Sequence, residues 1–98
     1  MKVKDIYSYL CTKAPLELQM DFDNSGFLVG DPEQDVSSIL VALDITSEVI
    51  EEAVDHNVQL IVSHHPVIWE PMKQVLTSDP QQSKIIKLIK NDIAAICM

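Results

Sequence analysis

The run SILVALDITSEVIEEAVDHNVQLIVSHHP, residues 38–66, decides the fold. From Ser38 to Leu43 it carries Ile39, Leu40, Val41, Ala42 and Leu43 almost without interruption, the pattern of a strand buried on both faces of a parallel sheet. Thr46 or Ser47 then caps a helix whose opening turns hold Glu48, Glu51 and Glu52, all well placed near the positive end of the helix dipole. The buried stripe of that helix is Val49, Ile50, Ala53 and Val54, and Asn57 supplies a left-handed stop. Leu60-Ile61-Val62 follows after a very short connection as a second buried strand. Strand, helix and strand in this order predict a β-α-β unit with parallel strands.

Outward from this unit the same reading extends in both directions. Val3, Ile6, Tyr7 and Leu10 recur at helical spacing and stop before Pro15, which disfavours helical geometry in the residue before it. Between Leu16 and Gly26 the turn formers Asp21, Asp23, Asn24, Ser25 and Gly26 crowd together, and Phe27 to Val29, closed by Gly30-Asp31-Pro32, fits a brief edge strand. Downstream, His64 to Thr77 holds Pro66 and Pro71 but also Val67, Ile68, Trp69 and Met72, so a packed loop is expected. Trp69 either covers its own core or packs against another subunit. Ser78 or Asp79 before Pro80 starts a further helix, with Ile85, Ile86, Leu88 and Ile89 as its apolar side, and Ile93 to Met98 is a third strand. The expected architecture is thus α/β, a β-α-β-α-β layered sheet, mainly parallel, forming a single domain over residues 1–98. No turn, cap or polar tail follows the third strand, so a truncated piece of a larger lobe is expected.

Composition narrows the function classes. Apolar residues make up 47% and charged residues 22%, ordinary values for a soluble globular chain. Fifteen acidic against seven basic residues give a net charge of −8, a field that repels nucleic acid and anionic membrane surfaces alike. Lys84, Lys87 and Lys90 share a helix spacing that suits a solvated face better than a binding stripe. Cys11 and Cys97 fit no metal or redox spacing and are expected to be reduced, buried thiols of a cytoplasmic protein. A polar, amphipathic stretch follows Met1, so neither a signal peptide nor a membrane span is expected.

The residues that carry chemistry sit at the end of the second strand. In open parallel sheets ligands gather at the carboxyl ends of strands, and Ser63-His64-His65-Pro66 lies there. Imidazole is a common metal ligand, and Pro66 holds His65 extended. His64 and His65 are therefore the candidate metal ligands; the alternative is that one caps the sheet by hydrogen bonding while the other is solvated. Asp44 ends the preceding strand, and if the two strands are neighbours it meets the pair on one edge, as a ligand or as a carboxylate that orients a histidine. His56, one turn after Glu52, fits a solvated residue at a helix C-terminus. Asp21-Phe22-Asp23-Asn24-Ser25-Gly26 imitates the opening of a calcium loop, but Pro32 stands at the twelfth place where a bidentate glutamate is needed. With only Gly26 and Gly30 there is no glycine-rich phosphate loop, and no base adjoins either cysteine. The sequence assigns no general acid or base.

Three segments together carry a resemblance. Asp23-Asn24-Ser25-Gly26-Phe27-Leu28-Val29-Gly30, then Leu43-Asp44-Ile45-Thr46 with its acidic helix, then Leu60-Ile61-Val62-Ser63-His64-His65-Pro66 occur in the order and spacing of the GTP cyclohydrolase 1 type 2 homologues, also called NIF-three-like proteins. The chain resembles the front of such a protein, with Phe22 where the family usually has tryptophan. The resemblance implies paired α/β lobes in a ring-shaped hexamer, with a dinuclear metal centre in which the consecutive histidines, here His64 and His65, are ligands. It also implies a divalent ion of the zinc, iron or manganese class and metal-activated water as nucleophile. A small phosphorylated molecule or nucleotide is the implied substrate. The remaining ligands of the family pattern, an aspartate in a His-Thr-x-x-Asp motif and a distal histidine and glutamate, have no counterpart in these 98 residues. Two imidazoles leave a cage for four to six donors open, and neighbouring ions repel without a bridging anion, so metal held by this chain alone is expected to be weak or absent, and the chain inactive. Asp44 and Asp23 are the candidates for supporting the ligands. The competing expectation is a non-enzymatic, metal-binding or regulatory oligomeric scaffold.

Overall fold

The computed structural model describes residues 1–13 and 24–98. The turn formers from Asp21 to Asp23, Phe22 and Pro15 lie outside the described residues, as does Asp23 as a candidate site residue. Three helices and four strands follow one another as α1 (Val3–Lys13), β1 (Gly26–Val29), β2 (Ile39–Ala42), α2 (Ser47–Asp55), β3 (Leu60–Ser63), α3 (Pro80–Lys90) and β4 (Ala94–Cys97). The sheet order is β1-β4-β3-β2. β2, β3 and β4 are parallel, and β1 closes the far edge antiparallel to β4.

The layering follows from the two crossovers. Both β-α-β connections step the same way across the sheet, and connections of one hand then place both helices on one face. Ile50 and Ala53 of α2 and Ile85 and Leu88 of α3 accordingly share a core with Ile61 and Ala95. α1 covers the opposite face, packing Val3 and Ile6 on Leu60, Ala94 and Ile96. The alternation of Leu60, Ile61 and of Ala94, Ala95, Ile96 between the two cores is the period-two pleat of inner strands buried on both sides. On the α1 face Tyr7 stands edge-on to Phe27, with ring centroids 5.8 Å apart. Burial first, and then the Cys11 sulfur, push its phenol up from the ordinary 10.0.

Local signals set the element ends. Thr46 caps α2 by accepting the Val49 N–H at 3.1 Å, and Asp79 caps α3 by accepting those of Gln81 and Gln82 at 2.9 Å, with Pro80 behind it at a position where its missing N–H costs nothing. Both helices stop in the same way. Asn57 and Asp92 take left-handed φ values of 53° and 54°, and the N–H groups of Val58 and Ile93 donate back to the carbonyls of Ala53 and Leu88 at 2.9 Å. These are Schellman closures with an apolar contact across the cap. Gly30, at φ +123°, ends β1 against β4: a Cβ there would lie 2.7 Å from the Ala94 Cβ and 2.8 Å from its Cα, so the closing glycine is required by space as well as by dihedral.

Four expectations are corrected. β2 is not buried on both faces: it lies at the sheet edge, where Ile39, Val41 and the following Leu43 are 44%, 76% and 62% exposed. The α1 layer packs on β3 and β4 and stops short of it, so an apolar run that reads as central is peripheral among the described residues. Ile89 leaves the apolar side of α3 and is exposed, since the i, i+3 pair Ile85 and Leu88 already faces the sheet. Cys97 is buried but Cys11 only half so. The segment after the histidines is packed in part, through Val67, Ile68 and Met72, while Trp69, Val75 and Leu76 are exposed. Lys87 lies 3.6 Å from Glu51 of α2 and Lys84 donates to Gln81, so two of the three lysines pair along the helix surface. Among the described residues no helix is long and apolar enough to cross a membrane.

Candidate metal centre

β3 delivers His64 and His65 at its carboxyl end, beside the end of β2, because the two strands pair in register from Ile39 and Leu60 to Ala42 and Ser63. The pairing extends beyond the strands: His64 N–H donates to Ala42 O at 3.2 Å and His65 N–H to Leu43 O at 2.9 Å. The carbonyls are held as well. Ser63 Oγ, on a residue only 3% exposed, donates to His65 O at 2.7 Å, and the buried Cys97 Sγ donates to His64 O at 3.3 Å. Every backbone polar group of the pair is thereby fixed to its own strand or a neighbouring one. The rings stay outside, His64 exposed and His65 half-buried, with centroids 4.9 Å apart and planes tilted by 48°.

Asp44 meets His65 as strand adjacency predicts. Its Oδ1 lies 2.7 Å from Nδ1 of the imidazole. A carboxylate only accepts, so Nδ1 carries the proton and Nε2 keeps the free lone pair. His64, His65 and Asp44 are brought together at one rim. His56 is not: it ends α2 and therefore lies at the opposite end of the sheet, exposed, with Nδ1 3.2 Å from the Glu52 carbonyl. Among the described residues no three His, Cys, Asp or Glu side chains gather as a ligand set.

Trp69 does not cover its own core. It is 54% exposed, and its ring centroid is 6.0 Å from that of His65 at an interplanar angle of 38°. Three further participants were not legible in the sequence. Asn24 reaches across to donate from Nδ2 to the Ile68 carbonyl at 2.7 Å, tying the start of β1 to the loop that follows the histidines. Ser63 and Cys97 clamp the pair from behind. Nothing in local spacing announces contacts made across 44 and 33 residues. Only the motif Asp23-Asn24-Ser25-Gly26 marked Asn24 for attention.

Residues 1–98 match the family model described as Duf34/NIF3 (NGG1p interacting factor 3). The GTP cyclohydrolase 1 type 2 homolog of Clostridium acetobutylicum is 41% identical over 93 residues, covering 95% of this chain and 35% of that protein. Its namesake from Clostridium perfringens is 44% identical over 93 residues, covering 95% and 36%. In three dimensions the chain superposes on the crystal structure of Staphylococcus aureus protein SA1388 with a TM-score of 0.94 at 36% identity, over all of this chain and 32% of that one. The chain thus spans about a third of the length of each of these relatives.

Proposed function

The chain belongs to the Duf34/NIF3 family, and on that premise we propose that it forms the N-terminal part of an α/β lobe of a metal-dependent, hydrolase-like protein, with His64 and His65 as metal ligands. The single observation that carries this reading is the clamping of the pair. Four hydrogen bonds, two from backbone to backbone and two from the Ser63 and Cys97 side chains, fix two adjacent residues whose rings remain at the surface, a use of polar groups that a merely solvated or sheet-capping pair does not need. Fixed imidazoles lose little entropy on ligation and keep their aim. The donor chemistry fits a divalent ion of the zinc, iron or manganese class, to which neutral imidazole is well suited.

A divalent ion bound there supplies Lewis-acid activation of water near neutral pH. The chain's own residues do the holding. Asp44 keeps the proton on Nδ1 of His65 and so presents Nε2, the arrangement by which carboxylates orient metal-bound histidines. Ser63 and Cys97 fix the height of the two rings above the sheet edge. Two imidazoles supply half or fewer of the donors such ions take, so the complete, dinuclear centre of the family resemblance draws its other ligands from outside these residues, and this chain by itself is inactive. A small phosphorylated molecule or nucleotide is the proposed substrate of the whole protein, a homo-oligomer, hexameric by the resemblance, is its proposed assembly, and the cytoplasm its proposed site. Exposure of Ile39, Val41 and Leu43 favours a second reading, an oligomeric, metal-binding scaffold without turnover.

Calorimetric titration with Zn²⁺ and Mn²⁺ tests the site. Weak binding is expected for the chain, and none for His64→Ala or His65→Ala. Variants that bind like the parent would end the metal reading. Hydrolysis of phosphorylated substrates by the Clostridium acetobutylicum relative separates enzyme from scaffold: turnover that survives both counterpart substitutions removes the catalytic proposal.

A further inference from the structure

A cleft of about 680 Å³ opens beside the histidine rim, between the segment from Val67 to Gln74 and the first turn of α3. Its volume is that of a small-molecule site. Trp69 is the side chain common to both places, lining the cleft while its ring stands 6.0 Å from that of His65. More than half of that large ring is left in water, and a flat occupant laid on it would remove the exposed apolar face. Met72 continues the apolar wall.

The polar lining points to an uncharged partner. Asp79 is already committed to the Gln81 and Gln82 N–H groups, so the N-terminus of α3 is capped and offers no cradle for an anion. Of the charged lining residues Glu70 and Lys73 offset each other, which leaves the Asp79 carboxylate as a negative charge that disfavours an anionic occupant. Gln82 Oε1 accepts the Leu76 N–H at 3.0 Å and Gln81 Oε1 accepts from Lys84 Nζ at 3.3 Å. Their NH₂ groups are the donors left for a ring nitrogen or ring carbonyl.

We propose that this cleft binds the planar, uncharged heteroaromatic ring of the substrate against Trp69, within reach of the Gln81 and Gln82 amides, so that the group attached to the ring is delivered to His64 and His65. Delivery rests on the metal reading above. Ring binding does not, and it is tested without metal.

Trp69 is the only tryptophan of the chain, so its emission reports on the cleft directly. Adenosine and cytidine titrated into the chain in the presence of EDTA are expected to change that emission saturably, while ribose 5-phosphate and inorganic phosphate leave it unmoved. By calorimetry Trp69→Ala is expected to weaken adenosine binding about 10-fold, the scale of one base–aromatic stack, and Trp69→Phe to restore most of it. A His64→Ala/His65→Ala double variant is expected to bind adenosine like the parent, which separates failure of the metal site from failure of the ring site. Emission unmoved by saturating nucleoside, a Trp69→Ala variant that binds adenosine as tightly as the parent, or an equal response to phosphate would each overturn the proposal.

Discussion

His65 Nδ1 and Asp44 Oδ1, 2.7 Å apart, join two residues separated by 21 positions, and only the parallel register of β2 and β3 makes them neighbours. With 41% and 53% of these side chains exposed, the pair adds little to stability, since even a fully charged pair open to water is worth at most about 1 kcal/mol. On the proposed metal reading its value lies in aim. Asp44→Ala is expected to leave the denaturation midpoint nearly unchanged and to weaken Zn²⁺ or Mn²⁺ binding by roughly 10–100-fold, the usual consequence of removing a carboxylate behind a metal-bound histidine. Competition against a chelator of known affinity reads the effect, and an unchanged affinity would remove Asp44 from the site. The residues at this rim were legible as types and positions: His64-His65 at a strand end and Asp44 at the end of its neighbour. Their clamps were not, because Ser63 and Cys97 act through the carbonyls of the histidines, and a serine or cysteine in an apolar strand looks the same whether or not it makes such a bond.

Helix ends were readable where the cap is a side chain adjacent in sequence. Thr46 and Asp79 announce α2 and α3 because each sits directly before an apolar periodicity, and each is found accepting backbone N–H groups. Thr46→Ala is expected to lower stability by about 1 kcal/mol, measured by urea unfolding. Because α2 feeds directly into β3, a larger loss would mean that the cap also holds the connection from Asp44. The matching stops are less even. Asn57 is a familiar left-handed residue, whereas Asp92 does the same work with a residue type that more often begins helices. What betrays Asp92 is its context, one residue before Ile93 and four after Leu88, which gives the apolar contact that closes such a cap.

Across the whole molecule the three layers put opposite demands on residues of equal hydrophobicity. Ile61 lies at the centre of the sheet with no exposure, while Val41, in register with Val62 on the adjacent strand, is 76% exposed. Ile61→Ala is expected to cost about 2–5 kcal/mol, and Val41→Thr less than about 0.5 kcal/mol, both by denaturant midpoint; comparable losses would mean that β2 is covered in solution. Hydrophobic periodicity and turn chemistry by themselves determined the order of elements, the parallel β-α-β-α-β core and the rim where His64, His65 and Asp44 meet, because each is set by neighbours within a few residues or by a near-universal crossover hand. Tertiary structure alone decided which strand lies at the edge, which side of Trp69 faces water, and how Asn24 and Cys97 reach the histidine loop. Those depend on where α1 ends up and on pairings across tens of residues, and no local pattern encodes the presence or absence of a layer above a strand.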